Sequence, residues 1–181
     1  ETIVDDLLTL ARQGTAVRDP EWIALDHVAR AAWEVVDTGD ATLTVGTDAR
    51  VRADPSRLQQ LFENLFRNAV EHGAGDTPAP VSVRVGLVYR GAGAVDGFYV
   101  ADDGPGVPPA DRDEIFEYGT SGDEDGTGLG LAIVKDIADA HDWRVRVTDC
   151  KRPGATESGD ADGDAGDPGA RFEICGVTVD D

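Results

Sequence analysis

Methionine is absent from the 181-residue chain, lysine occurs only at Lys135 and Lys151, and cysteine only at Cys150 and Cys175. Basic residues are scarce altogether: 16 Lys and Arg stand against 36 Asp and Glu, a formal charge of -20. So anionic a surface repels phosphate backbones and acidic headgroups, which argues against nucleic acid and anionic membranes as partners. Aromatics make up only 6% and the acid excess runs along the whole chain. That pattern fits adaptation to high salt, where dense carboxylates stay hydrated and screening removes much of their repulsion. No run approaches the ~18 apolar residues that span a bilayer, and no basic-then-apolar export signal opens the chain, so it reads as soluble. It opens at Glu1 without a methionine, which reads as excision from something longer. Two cysteines permit one disulfide by count. If 144–149 and 171–177 form a hairpin, Cys150 falls near Arg171 and Cys175 near Arg146, an offset of ~13 Å that is too far to bridge. Both thiols are expected to be free.

The chain has the length for one well-packed core plus appendages. Over 1–13, Ile3, Leu7 and Leu10 form the stripe of an amphipathic helix that needs a partner to bury it. Gly14 stops this helix, and 15–24 reads as a linker. A helix follows over 25–36, then a strand pair, 41–45 and 50–53, turned by GTDA. Asp54-Pro55 supplies an N-cap carboxylate and a proline at the first helical position. It opens a helix to Gly73 whose core face is Leu58, Leu61, Phe62, Leu65, Phe66 and Ala69. Strands are expected over 81–89 and 98–101, with GAGAVDG as the turn between them. DDGPGVP comes next, then a short helix at 110–116, a glycine-rich stretch, and a helix over 129–140 at whose end a His141 charge would be favourable. Strands WRVRVTD and RFEICGVTV finish the chain. Between them, 153–169 is acidic and too poor in large apolar residues to offset its ordering entropy, so it is expected to be disordered.

Three features carry chemistry. GTGLGL, 126–131, is a glycine-rich turn opening a helix, whose outward N–H groups and dipole suit an anion. It lacks the spacing of a dinucleotide fingerprint and has no Walker lysine. Asn64 and Asn68 lie at i and i+4 on one helix although asparagine is a poor mid-helix residue. Beside Arg67 and His72 they suit phosphate and a hard cation. Asp102 directly follows a strand, and its carboxylate can accept a hydrogen bond from an amino group on a flat ring that Gly104 and Gly106 let approach.

In their order, ENLFRNAVEHG, DDGPGVP, IFEYGTSG and GTGLGLAIVK resemble the N box, the D-x-G-x-G box, the F box and the last glycine box of the sensor histidine kinases. These belong to the ATPase superfamily that includes DNA gyrase, the mismatch-repair ATPases and a heat-shock chaperone. The resemblance covers nearly everything after the linker. It implies an α+β two-layer sandwich, the Bergerat fold, with a mixed sheet covered on one face by helices. ATP and magnesium are the implied cofactors. Carried over by position, Asp102 reads the adenine amino group, with Gly104, Gly106 and Val107 forming that end of the pocket. Asn68 ligates magnesium, while Asn64, Arg67 and His72 line the site. Gly126, Thr127, Gly128, Leu129 and Gly130 wrap the phosphates, and Phe116 begins a lid that runs to Gly126.

Residues 1–14 resemble the end of a second dimerisation helix, 15–24 the linker after it, and 25–181 the ATP-binding catalytic domain. His27, His72 and His141 do not resemble a phosphoacceptor, so that histidine and any sensor domain would lie upstream of Glu1. The implied partners are those upstream domains, a second copy in a homodimer, and a response regulator's receiver domain. The implied location is cytoplasmic, or the cytoplasmic side of a membrane-bound sensor.

Two departures stand out. Glu71 occupies a position where many family members have lysine, and 117–126 has no basic residue. Hydrolysing superfamily members carry a glutamate where Asn64 stands, and Glu63 is ~100° of helix away. That favours phosphoryl transfer over free hydrolysis. Two alternatives stay open: a nucleotide-binding pseudokinase, and an anti-sigma-type serine kinase.

Overall fold

The computed structural model describes residues 17–73, 79–117, 129–150 and 169–181. Expectations for the first helix, for 118–128 and for the acidic insert through 168 lie outside the described residues. In chain order the elements are β1 (Glu21–Ala24), α1 (Leu25–Val35), β2 (Thr42–Val45), β3 (Arg50–Ala53), α2 (Pro55–Gly73), β4 (Ser82–Arg90) and β5 (Ala94–Asp102). After them come α3 (Gly130–Ala140), β6 (Arg144–Cys150), β7 (Gly169–Cys175) and β8 (Val179–Asp180).

Helix α2 forms where its cap and stripe place it. The Asp54 carboxylate accepts the N–H groups of Ser56 at 3.0 Å and Arg57 at 3.3 Å, which satisfies donors that the first turn leaves orphaned. Leu58, Leu61, Phe62, Leu65, Phe66 and Ala69 are its buried apolar residues. Phe62 stacks on Phe98 of β5 with centroids 5.3 Å apart, and Phe66 meets Trp33 of α1 edge-on at 5.1 Å. Each such fully buried side chain stabilises the fold by about 1.5–3 kcal/mol.

The layer of helices covers one face of a five-stranded sheet ordered β2-β4-β5-β7-β6. Only β2 and β4 are parallel; the other neighbours are antiparallel. Val85, Val100, Phe172 and Ile174 face the helices and are buried. On the opposite face Arg171 lies over the Tyr99 ring, 3.7 Å from its centroid. This is the expected mixed sheet with helices on one side.

The expected elements need correction in four places. The segments 41–45 and 50–53 do not form a hairpin: β2 runs parallel to β4, while β3 joins β1 and β8 in a second, three-stranded antiparallel sheet. GTDA crosses between the sheets. Gly46 N–H extends the parallel ladder onto Val85 O, and the Thr47 hydroxyl accepts Ala49 N–H. Glu21–Ala24, assigned to the linker, is strand β1. Strand β5 starts four residues earlier than expected because the turn needs only Gly91–Gly93, with positive φ at Ala92 and Gly93. The short helix is reduced to a 3-10 turn, Glu114–Phe116. The thiols are free and buried, Cys150 opposite Gly169 and Cys175 opposite Arg144, at the two ends of the β6–β7 pair. Among the described residues no helix is long and apolar enough to cross a membrane.

His141 is not a charged helix cap. Its Nε2 accepts the Asp54 N–H at 3.1 Å, and its Nδ1 donates to Ile137 O at 2.8 Å. Only the neutral Nδ1–H tautomer satisfies both bonds. Burial lowers its pKa from 6.5, assisted by Arg57 and opposed by the Ile137 bond and Asp54. A depressed folded value means this contribution is intact above 6.5 and is lost as pH falls from there through the folded pKa. Chemical denaturation across the neutral-to-mildly-acid range should show that loss, and His141→Gln should flatten it. An unchanged slope in the variant would contradict this assignment.

Candidate functional site

The end of α2, the end of β5 and the start of β7 meet around a buried carboxylate, and the start of α3 faces α2 about two turns earlier, at Asn64. Asp102, the last residue of β5, is 5% exposed. Its Oδ1 accepts N–H groups from Gly104 at 2.9 Å and Ala170 at 3.4 Å. Among the described residues Oδ2 has no hydrogen-bond partner. Burial pushes the Asp102 pKa above its ordinary value; the two backbone bonds and His72 pull it down, while Asp103 raises it.

Glycines make this convergence possible. A Cβ on Gly104 would lie 2.5 Å from Gly73 Cα, and one on Gly169 would lie 1.8 Å from Asp102 O. Helix α2 and strand β7 therefore close on the loop at positions that admit no side chain. At Gly104, expected to let a ligand approach, the packing of Gly73 by itself already requires glycine. Gly106 has φ +79, a conformation that favours glycine, and Val107 beyond it packs against the core.

On α2, the two asparagines play different parts. Asn64 is buried, its amide donating to Gln60 O at 2.8 Å. Its Oδ1 faces Gly130, where a Cβ would sit 3.4 Å away. One turn later Asn68 is half-buried beside Arg67, and His72 at the helix end is exposed. Among the described residues neither the Arg67 nor the Asn68 side chain has a hydrogen-bond partner. Glu63 is engaged by Gln59 Nε2 at 2.9 Å.

Helix α3 starts at Leu129 and Gly130, and among the described residues no side chain caps its first turn. Its leading N–H groups thus remain available to an anion. Gly126, Thr127 and Gly128 lie outside the described residues. Phe116, expected to begin the lid, packs edge-on against Phe172 of β7 at 6.2 Å. Among the described residues no group of three or more His, Cys, Asp and Glu could hold a metal ion. A hard dication at Asn68 would therefore take most of its oxygens from a ligand and water, the usual habit of magnesium beside phosphates.

Sequence reasoning missed the second donor to Asp102, the Ala170 N–H, because nothing local pairs positions 102 and 170. It also missed Arg112. The Arg112 Nε donates to Val107 O at 3.1 Å, and its Nη2 forms an ion pair with Asp149 of β6.

A family profile described as "Histidine kinase-, DNA gyrase B-, and HSP90-like ATPase" matches residues 53–175. Over 152 residues the chain is 32% identical to the methanogenesis regulatory histidine kinase FilI of Methanothrix harundinacea, covering 80% of this chain and 17% of that protein. Over 168 residues it is 32% identical to the sensor-like histidine kinase SenX3 of Mycobacterium bovis, covering 85% and 40%. The chain thus spans less than half the length of these relatives. Among solved structures, the mycobacterial sensor histidine kinase MprB matches with a TM-score of 0.65 at 28% identity, over 88% of this chain and 95% of that one. Full-length ShkA in complex with AMPPNP matches with a TM-score of 0.67 at 28% identity, over 97% and 35%.

Proposed function

Because the chain belongs to the histidine kinase-, DNA gyrase B- and HSP90-like ATPases, we propose that it is the ATP-binding catalytic part of a sensor histidine kinase. It would present the γ-phosphoryl group of ATP to a histidine on an upstream dimerisation domain. The observation that carries this reading is Asp102, a buried carboxylate with one oxygen held by two backbone donors and the other open. An adenine amino group offers that oxygen a charge-assisted hydrogen bond. Asn68 would hold Mg2+, which neutralises charge on the phosphates. Arg67 and the uncapped N–H groups of α3 would meet the remaining phosphate oxygens. With Glu71 on α2 in place of a lysine, the γ-phosphate depends on these groups.

Transfer is favoured over free hydrolysis. Asn64 is committed to Gln60 and faces α3, and the neighbouring Glu63 is held by Gln59. Neither is placed as a base for water. The three histidines are also unsuited as acceptors: His141 is bound to two backbone groups, and His27 and His72 belong to α1 and α2 of the catalytic layer. The partners would be a dimerisation domain in a homodimer and a receiver domain, with a cytoplasmic setting.

Labelled ATP tests the activity on the chain extended upstream through its dimerisation domain. Label that is acid-labile and base-stable supports phosphohistidine. Acid-stable label indicates a serine kinase, and no label a pseudokinase. Adaptation to high salt belongs to the same proposal: a charge of -20 should make melting depend on screening. On dialysis from ~1 M toward ~0.01 M salt, as the Debye length grows from ~3 to ~30 Å, the melting temperature should fall sharply. A flat response would remove that part.

A further inference from the structure

Arg112 is the only Lys or Arg between Arg90 and Lys135, and five acids surround it between residues 103 and 117. A lone cation in so acidic a stretch would be expected to point to solvent and serve solubility. Instead its guanidinium spans two separate elements. Nε donates to Val107 O at 3.1 Å within the loop, and Nη2 reaches Asp149 at the edge of the sheet.

Asp149 stands opposite Ala170 in the β6–β7 register, and Ala170 N–H is the second donor to Asp102 Oδ1. Arg112 therefore ties the loop that follows Asp102 to the same rung of the sheet that orients Asp102. The loop's other attachments are local to its ends: Ser82 N–H to Asp103 Oδ1 at 2.8 Å before Gly106, and Phe116 on Phe172 after the turn. Between them, among the described residues, Arg112 is the one side chain that hydrogen-bonds this stretch, at Val107 O, while the Val107 side chain packs against the core.

We propose that Arg112 is a positioning residue for base recognition: bridging Val107 O and Asp149, it holds the Gly104–Val107 backbone at the register in which the open oxygen of Asp102 meets a purine amino group. This rests on the nucleotide reading above. It predicts a loss confined to ligands that carry the amino group. In the presence of magnesium, Arg112→Ala should weaken ATP roughly three- to tenfold, the range for an ion pair and one hydrogen bond. It should leave ITP, which lacks the amino group, nearly unchanged. Asp149→Asn should shift binding in the same direction by less, since the amide keeps an oxygen for Arg112.

A variant that merely populates the competent fold less would weaken ATP and ITP by one common factor. The ATP-to-ITP ratio therefore separates positioning from general damage. Titration calorimetry of the parent, Arg112→Ala and Asp149→Asn with both nucleotides gives that ratio directly. A falling ratio in both variants supports the proposal; if Arg112→Ala does not fold, Asp149→Asn alone decides. An unchanged ratio overturns it, with the nucleotide reading intact if the parent binds ATP. A parent that binds neither nucleotide overturns both.

Discussion

Asp102→Asn should lose roughly ten- to a hundredfold in ATP affinity, the worth of a charge-assisted hydrogen bond of ~1.5–3 kcal/mol, while the domain stays folded. The amide oxygen can keep the two backbone donors, Gly104 N–H and Ala170 N–H, that Oδ1 accepts now. The amide NH2 then occupies the position of Oδ2, and a donor faces the adenine amino donor. Stability should not fall with affinity. Burial raises the Asp102 pKa, so the ionised carboxylate costs the folded state stability at neutral pH, and a neutral isostere removes that cost. Binding and melting temperature measured on one preparation check both halves. A variant that binds like the parent would show that Asp102 does not read the base.

The second large effect is structural. Gly97→Ala should destabilise the domain by about 3 kcal/mol or more. Its Cβ would stand 1.8 Å from Ile174 O, 2.9 Å from Ile174 C and 3.2 Å from Cys175 Cα, all backbone of the adjoining strand β7. Gly97 lies on the central strand of the larger sheet and pairs with Cys175 at the end rung of the β5–β7 ladder. The clash is with backbone, so no side-chain movement relieves it and the strands must shift apart there. For a chain of this length the melting temperature should drop by about 6–12 °C. Gly91→Ala is the control: nothing lies within 4 Å of its Cβ and its φ is not positive. A Gly97→Ala variant melting with the parent would mean that β5 and β7 do not pair in this register.

Local signals in the sequence located α1, α2 and α3 to within a residue or two at their ends, and the reason is physical. Asp54-Pro55 is a complete helix start within two residues, and the stripe from Leu58 to Ala69 has one period and one face. Strand partners were less legible. Nothing near 41–53 reveals that β2 runs parallel to β4 or that β3 leaves for a second sheet, because pairing is decided by chain folded tens of residues away. The site divides in the same manner. Asp102, Asn64 and Asn68 stand out as residue types that are out of place in their elements. The Ala170 N–H and the Arg112 bridge do not, since each acquires its role only when β6, β7 and the loop after β5 come together. Gly104 shows a further limit. Its need for a bare backbone was readable, but the close packing of Gly73 against it was not. His141 was misread for a similar reason, because the group it bonds, Asp54 N–H, belongs to another helix.

Titration calorimetry of the parent chain with Mg-ATP, repeated in EDTA, tests the central claim most directly. The expected result is a saturable heat of one nucleotide per chain, abolished by prior saturation with a non-hydrolysable adenine nucleotide and weakened by EDTA through loss of the metal at Asn68. No saturable heat from the folded parent at any attainable nucleotide concentration would contradict the account.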